Sequence, residues 1–573
     1  MNILPRLQKR TFYVLGILPG LIFMFWLEWQ SSQNPWGVRR FTLFDDAMIS
    51  MDYGRTLARN GELAWFPGAP RVQGFTNPLW TLWMSVIHLI GFNGSHAALM
   101  VSLSGIVLIV ASSWIIYDLI TTYGSGNSQL IATVAAGSLP FLYPLTYWTL
   151  RGMEVGALTF FSLLLLRSTL THVRNSNSNA HCSLYVPIIL GIATRFDFIV
   201  FCAVAILSLV AWGDKASKNR LATKYGSTAI AAAAAVSLAQ KLYWGSWLPN
   251  TYHLKMDGVS TVDRIARGFA SSSKTAALFA VVAIAVLSQW RSKQVRQRVS
   301  VIGSAMFVSM AAYAVYIGGD AWEGEMLNRF YATVLPFVVL VIGLSFNVIR
   351  HRINPLLISI ALLLTSIGAG VMVNPFEFSN KHFYIVVSAS IISAMLIVVS
   401  TYIKRDGWTA SVIVASICLI VSIYPLAKQY KNHDVLSSRT NLFVTESVET
   451  MRDTTNPEAS IATVWAGVPA YYSNRKMLDL LGKNDTFIAS SLPHGAFFPG
   501  HNKWDYNYSI AELQPDVIFQ TFDRGLENDL NQRIIDWGYI RLCPSFGTFG
   551  VNGYYYRTSS KFIKWDLLRE CSQ

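Results

Sequence analysis

Two adjacent carboxylates, Asp45 and Asp46, stand in the stretch TLFDDAMISMDYGR (42–55), with a third, Asp52, six residues on. Two close carboxylates in a low-dielectric site couple, and one of them can then hold its proton more tightly. Such a pair can accept a proton from a hydroxyl, orient it, or hold a divalent cation. Asp is also a preferred helix N-cap residue. Ile49, Tyr53 and Leu57 recur at helical spacing towards Gly61, so one Asp can cap an amphipathic helix lying along a membrane. Capping accounts for one aspartate but not for both.

The elements that must position this pair are membrane helices. The 573 residues are 52% hydrophobic and only 14% charged, with a mean hydropathy of +0.37. A soluble chain carries about 25% charged residues. Long, nearly uncharged runs recur at 11–26, 97–116, 130–148, 155–166, 276–289, 301–317, 331–348, 355–373, 383–403 and 408–426. Several reach the ~20 residues that span a hydrocarbon core. The opening run lacks a small-residue cleavage site and reads as a span, not a cleaved signal. Basic stretches at 6–10, 213–225, 291–298, 350–352 and 404–405 read as cytoplasmic. They account for much of the net charge of +14, which then needs no nucleic acid to explain it. Their spacing allows about 13 crossings, with the N-terminus inside and the C-terminus outside. Segment 78–92 is short enough to lie on the membrane instead of crossing it.

On this topology the first outer loop, about 29–96, carries the aspartate pair. It also carries Arg39, Arg40, Arg55, Arg59 and Arg71, against the positive-inside trend, which suggests an anionic ligand or lipid headgroups. From about residue 428 charge rises and short alternating strands appear at 461–467, 516–522, 539–546 and 553–558, with an amphipathic helix at 527–538. The chain therefore divides into a membrane domain, 1–427, and an α/β domain on the outer face, 428–573. Cys543 and Cys571 both lie in that outer domain, where a disulfide is permitted. His494 and His501 lack the spacing of a metal site and read as loop histidines near a glycan or a lid. Tyr471, Tyr472, Phe497, Phe498 and Trp504 can stack on sugars or fill the core. Nucleotide-loop, zinc-protease and serine-hydrolase motifs have no match in the chain.

The stretch FDDAMISMDYGRTLARNGELAWFPGAPRVQGFTNPLW (44–80) resembles the first outer loop of bacterial GT-C glycosyltransferases, in particular the arabinofuranosyltransferase B-like group. Asp45, Asp46, Ala47, Ile49, Ser50, Tyr53, Leu57, Trp65, Pro67, Gly68, Val72, Gly74, Thr76, Asn77, Leu79 and Trp80 fit its pattern. Gly54, Phe66 and Phe75 depart from it. LRGMEVGAL (150–158), ATRFDFIVF (193–201), YWGSWLPNTYHLKM (243–256), GGDAWEGEMLNRFYATVLP (318–336) and WAGVPAYYSNRKMLDLLGKND (465–485) are similar to further segments of the group, in the same order.

The resemblance implies a polytopic α-helical GT-C membrane protein with a C-terminal periplasmic α/β domain, itself a candidate for glycan or acceptor binding. It implies a monomeric glycosyltransferase of the bacterial inner membrane. The sugar, arabinofuranose on this pattern, comes from a polyprenyl-phosphate donor and passes to a periplasmic glycan, lipid or protein. Asp45 is the first choice for the carboxylate acting on the acceptor hydroxyl and Asp46 the second, with exchangeable roles. Lys255, Arg329, Arg195 and His253 are candidates for the donor phosphate. Arg195 can instead form a structural ion pair with Asp197. Glu154, Asp320, Asn77 and Tyr53 are candidates for sugar or acceptor. No nucleotide is required, and the aspartate pair can take a divalent cation. The alternatives are a lipid-linked glycan flippase and a same-fold transferase using a mannose or aminoarabinose donor.

Overall fold

The structure is a computed structural model. It describes residues 3–571 apart from 33–38, 125–127, 175–181, 214–217, parts of 274–294, 324–327, 353–433, 523, 549 and 551–552. The predicted runs 355–373, 383–403 and 408–426, the basic pair 404–405 and the domain boundary at 427/428 lie outside the described residues.

The membrane part begins with α1 (Ile3–Ser31), α2 (Asp45–Asn60), α3 (Pro78–Leu89), α4 (Gly94–Tyr123), α5 (Ser128–Ser138), α6 (Tyr143–Leu150) and α7 (Val155–Arg174). It continues with α8 (Cys182–Thr194), α9 (Ile199–Trp212), α10 (Lys218–Trp244), α11 (Asn250–Met256) and α12 (Thr261–Ser273), then the helices Val295–Tyr316 and Arg329–Arg352. Among the described residues four helices are long and apolar enough to cross a membrane. The α5–α6 pair, bent by 50°, makes a fifth, and 184–194, 196–212 and 329–345 are shorter apolar helices. α8 and α9 meet at a break where Arg195 is extended.

The two ends of the bundle differ in charge. Arg174 closes α7, Lys218 opens α10, Arg298 lies in the first turn of Val295–Tyr316, and Arg350 and Arg352 close Arg329–Arg352. The opposite ends of the same helices are Val155, Trp244, Tyr316 and Arg329. At 1.5 Å per residue, about 30 Å of helix separates the two sets.

α3 does not cross. Just before it, Asn77 donates to Glu154 at the head of α7 (2.8 Å). Near its other end, His88 meets the Tyr471 hydroxyl (2.9 Å), which also accepts the N–H of Gly94 (3.0 Å). Both ends thus sit on the Val155 side of the bundle. Thr81, Ser85 and His88 face inward, while Leu82, Trp83, Val86 and Leu89 point out. A helix with its apolar face outward suits a lipid interface. Asn77 and Pro78 start it, Pro at the first helical position costing no hydrogen bond. Gly54 lets α2 press against its backbone: a Cβ there would lie 2.9 Å from the Ser85 nitrogen.

Beyond 433, helix Ser438–Asp453 leads into a six-stranded sheet of order β2-β1-β3-β5-β4-β6. The strands are β1 (Ser460–Thr463), β2 (Lys476–Asp479), β3 (Val517–Ile518), β4 (Tyr539–Pro544), β5 (Tyr554–Arg557) and β6 (Leu568–Arg569). β2, β1 and β3 are parallel and the remaining pairs antiparallel. The four predicted strands are present but shorter, and the predicted helix is Leu530–Asp536. β2, β6 and helix Ser438–Asp453 were not anticipated. Cys543 and Cys571 form a disulfide.

Strand alternation gives the sheet two cores. Ile461, Val517, Tyr554 and Tyr556 join Val444, Val448 and Met451 in the core that runs on into the membrane helices. Ala462, Ile518 and Tyr555 face the other way, onto Trp504, Ile510 and Ile534. One face of the sheet is therefore committed to the membrane part.

Candidate active site

Asp45 and Asp46 are the first two residues of α2, after an extended Phe44, and no side chain caps this end. The carboxylates diverge. Asp45 turns to the sheet domain, where its Oδ1 accepts the N–H groups of Gly467 (3.1 Å) and Val468 (2.7 Å). The approach requires glycine: a Cβ on Gly467 would lie 1.9 Å from the Asp45 carbonyl oxygen. Asp46 instead enters a chamber of about 60 Å³, also lined by Ser50, Asn77, Lys255, Asp320, Trp322, Arg329, Lys483 and His501.

Two cations hold Asp46. Lys483 donates to Oδ1 at 2.7 Å and Arg329 reaches Oδ2 at 3.3 Å. Burial works against the charge on Asp46, but Lys483 and then Arg329 outweigh it and keep the carboxyl well below the usual carboxylate range. Burial pushes the Asp45 carboxyl up to about 6, against the pull of Lys483 and the Val468 N–H. The pair thus splits chiefly through burial and the placement of Lys483, with mutual repulsion a lesser contribution. Arg329 also pairs with Asp320 at 3.0 Å, through charge proximity without a directed hydrogen bond.

A second, larger cavity of about 420 Å³ opens among the membrane helices. Its walls include Phe196, Val200, Val236, Tyr313, Ile317 and Phe330. Thr76, Thr251, Lys255 and Arg329 line both spaces, so the polar chamber and the apolar cavity meet at two cations. Among the described residues no hydrogen-bond or ion-pair partner reaches the Lys255 ammonium. Burial, reinforced by Arg329, brings it down to about 8.

Of the residues expected from the sequence, Asp46, Asn77, Lys255, Asp320 and Arg329 line the chamber. Glu154 lies behind it, accepting from Asn77 (2.8 Å) and Arg195 (2.9 Å), while Asn77 Oδ1 accepts from Ser50 (2.8 Å). Arg195 borders the larger cavity but is bound by Asp197, with Nε–Oδ1 at 2.9 Å, and by Glu154. It is thus compensated within the protein. Tyr53 and His253 are held elsewhere. Tyr53 is fully buried, its hydroxyl against Val72 O (2.6 Å) and Asn484 Oδ1 (2.9 Å), and it locks α2 to neighbouring loops. His253 pairs with Asp257 at 2.9 Å and lines neither space.

The outer arginines likewise face the protein. Arg39 stacks on Trp29, Arg40 binds Glu449 at 2.6 Å, Arg55 binds Asp52, Arg59 binds Asn93 at 2.6 Å and Arg71 stacks on Tyr243. None lines either space. Among the described residues no group of three or more His, Cys, Asp and Glu side chains is placed to hold a metal ion. The donor set at Asp46 does not fit a divalent cation, since both carboxylate oxygens already face protein cations.

Lys483 and the placement of His501 escaped the sequence reading. Both come from loops of the sheet domain, with no periodicity to mark them. The one signal was the D-x-x-G-x-x-D turn (479–485), whose lysine follows the glycine. His501 Nδ1 donates to Pro499 O at 2.9 Å, which leaves Nε2 an acceptor. Burial, then Lys483, pushes this imidazole down to about 4, so it is neutral at pH 7. Of the aromatic residues considered for sugar stacking, Tyr471 and Trp504 belong to the core.

Comparison with known proteins bears on the fold. The chain is similar to the crystal structure of ArnT from Cupriavidus metallidurans in the apo state, at 13% identity over 93% of this chain and 96% of that one, TM-score 0.52. It is similar to the same ArnT bound to undecaprenyl phosphate, at 11% identity over 92% and 95%, TM-score 0.50. The apo oligosaccharyltransferase of Archaeoglobus fulgidus aligns at 10% identity over 97% of this chain and 75% of that one, TM-score 0.49. The fold is that of a polytopic GT-C membrane protein with a C-terminal sheet domain. Residues 431–561 match a family described as a domain of unknown function, DUF8728. No curated protein matches the chain.

Proposed function

We propose that this protein is a membrane glycosyltransferase that takes its sugar from a polyprenyl-phosphate donor. The observation that carries this reading is the meeting of an apolar cavity and a carboxylate-bearing chamber at Lys255 and Arg329. An isoprenoid tail matches the apolar walls. Its phosphate matches the two cations at the junction, and the sugar then extends across the junction towards Asp46. ArnT, whose fold this chain shares, binds undecaprenyl phosphate.

In this reaction the bond between the anomeric carbon and the phosphate oxygen breaks, and a bond to the acceptor oxygen forms. Lys255 and Arg329 hold the departing polyprenyl phosphate, and Asp46 receives the acceptor's proton. Asp46 takes the role first considered for Asp45, because Asp46 faces the chamber and Asp45 is tied to Gly467 and Val468. Asp320, Asn77 and Ser50 offer polar contacts to sugar or acceptor hydroxyls. The basic helix ends lie away from this site, which supports chemistry on the extracytoplasmic side of a bacterial inner membrane. Arabinofuranose is the donor sugar favoured by the first-loop motif, with mannose and aminoarabinose as same-fold alternatives. The acceptor is a glycan, lipid or protein on that side.

The test is purified protein in lipid nanodiscs with synthetic polyprenyl-phosphate arabinofuranose, mannose and aminoarabinose and a panel of acceptors. Release of polyprenyl phosphate with a matching mass gain on an acceptor is the expected result. Vectorial movement of the intact lipid-linked sugar without transfer would favour a flippase instead.

A further inference from the structure

One of the two cations on Asp46 belongs to a different domain. Lys483 is carried by the turn that follows β2, and the turn is fixed from within and from outside. The Asp479 carboxylate accepts the N–H groups of Leu481 (3.0 Å), Gly482 (3.1 Å) and Asn484 (2.7 Å). From the membrane part, the Asn250 side-chain amide is shared among the carbonyls of Gly482 (2.8 Å), Lys483 (3.1 Å) and Asp485 (3.1 Å). The Tyr53 hydroxyl meets Asn484, and a Cβ on Gly74 would fall 1.8 Å from the same side chain. The ammonium is buried and has its position set before any substrate arrives.

We propose that Lys483 is a positioning residue for the transfer reaction: the sheet domain supplies the charge that keeps Asp46 ionised and oriented towards the incoming hydroxyl. This rests on the glycosyl-transfer reading above. Among the described residues, the ionisable groups that bear on Asp46 are Lys483, Arg329, His501, Lys255, Asp320 on the same chamber wall and, on its own helix, Asp45. Arg329 and Lys255 border the lipid-side cavity, so an arriving phosphate draws on both. That phosphate also brings negative charge beside Asp46 and favours its protonation. His501 is neutral, and Asp45 adds no positive charge. Lys483 does not line the lipid-side cavity and stays with the carboxylate. A weakly basic carboxylate suits late proton transfer, because the hydroxyl becomes acidic as its bond to the anomeric carbon forms.

The test compares wild type with Lys483→Met and Lys483→Arg. With one cation lost, the acid limb of kcat/KM should move up by about 1–3 pH units. Lys483→Arg should restore it, and the affinity for undecaprenyl phosphate should stay within about twofold. An unmoved acid limb, or loss of undecaprenyl phosphate binding in step with activity, overturns the proposal. Infrared titration gives a readout without turnover: the carboxylic-acid band that Asp46→Asn removes should appear at higher pH in Lys483→Met. If no donor sugar is transferred at all, the reaction assignment fails while this band still decides the role of Lys483. Should Lys483→Met not fold, Asn250→Ala, which releases the turn but keeps the lysine, should move the same band upward. An unmoved band there also overturns the proposal.

Discussion

The Arg329 guanidinium stands 3.3 Å from Asp46 Oδ2 and also faces the lipid-side cavity. One cation is thus shared between the carboxylate and the space assigned to the donor. On the reading proposed above, a donor phosphate held there would draw on the same guanidinium that pairs with Asp46.

The two aspartates should separate cleanly on mutation. Asp46→Asn should reduce kcat by about 10²–10⁴, the usual contribution of a positioned acid or base, with undecaprenyl phosphate binding retained. Asp45→Asn should keep most activity, because an amide oxygen can still accept from Gly467 and Val468. Near-normal transfer by Asp46→Asn would falsify the assignment of the carboxylate.

Asp45 also predicts a pH dependence of stability. Its folded carboxyl titrates near 6, above the ordinary 3.8, so the folded state holds the proton more tightly. Stability should therefore fall as pH rises from about 4 to about 6, by up to about 3 kcal/mol. Asp52, also pushed to about 6 by burial, acts in the same window. Asp45→Asn should flatten part of this slope in thermal unfolding across pH; an unchanged slope assigns the effect elsewhere.

Lys255 should control donor affinity. Lys255→Met should weaken binding of undecaprenyl phosphate by about 10- to 100-fold, the range for a lost charged hydrogen bond, with a smaller change in kcat. In wild type the free lysine is brought down to about 8, so affinity should decline as pH rises through that value. Titrations of binding against pH in wild type and variant give the comparison, and a variant without this decline is the expected outcome.

Filling the apolar cavity should act on the lipid and not on the chemistry. Val236, on α10, lines it. Val236→Trp should raise the KM of a long-chain donor more than that of a short-chain analogue. Equal effects on both would mean that the tail does not lie there.

Gly467→Ala tests the join between α2 and the sheet domain. The added methyl would meet the Asp45 carbonyl at 1.9 Å, and backbone has to move to admit it. A cost of about 1–3 kcal/mol is expected from such overpacking, read as a lower midpoint of thermal unfolding.

Much of this arrangement was legible from residue types. Hydropathy marked the bundle, and Asp46 with Lys255 of LPNTYHLK and Asp320 of GGD lines one chamber. Alternation marked four of the six strands. Tyr53 and His253 line neither space, because a motif gives neighbourhood but not side-chain direction: one points into packing and the other towards Asp257. Lys483 was missed because only the tertiary fold brings it across 437 residues to Asp46. Asp45 and Asp46 are adjacent in sequence yet face different partners, since consecutive helical residues point about 100° apart.

The alternation in β1, β3 and β5 has a practical consequence. Every second side chain of these strands belongs to the core shared with the bundle. A recombinant fragment containing the sheet alone would bare Ile461, Val517, Tyr554 and Tyr556 together with helix Ser438–Asp453, a greasy plate prone to clumping. Biochemistry on this protein thus belongs in detergent or nanodiscs with the membrane helices in place, and the DUF8728 segment is better regarded as packed against the bundle than as a free-standing module.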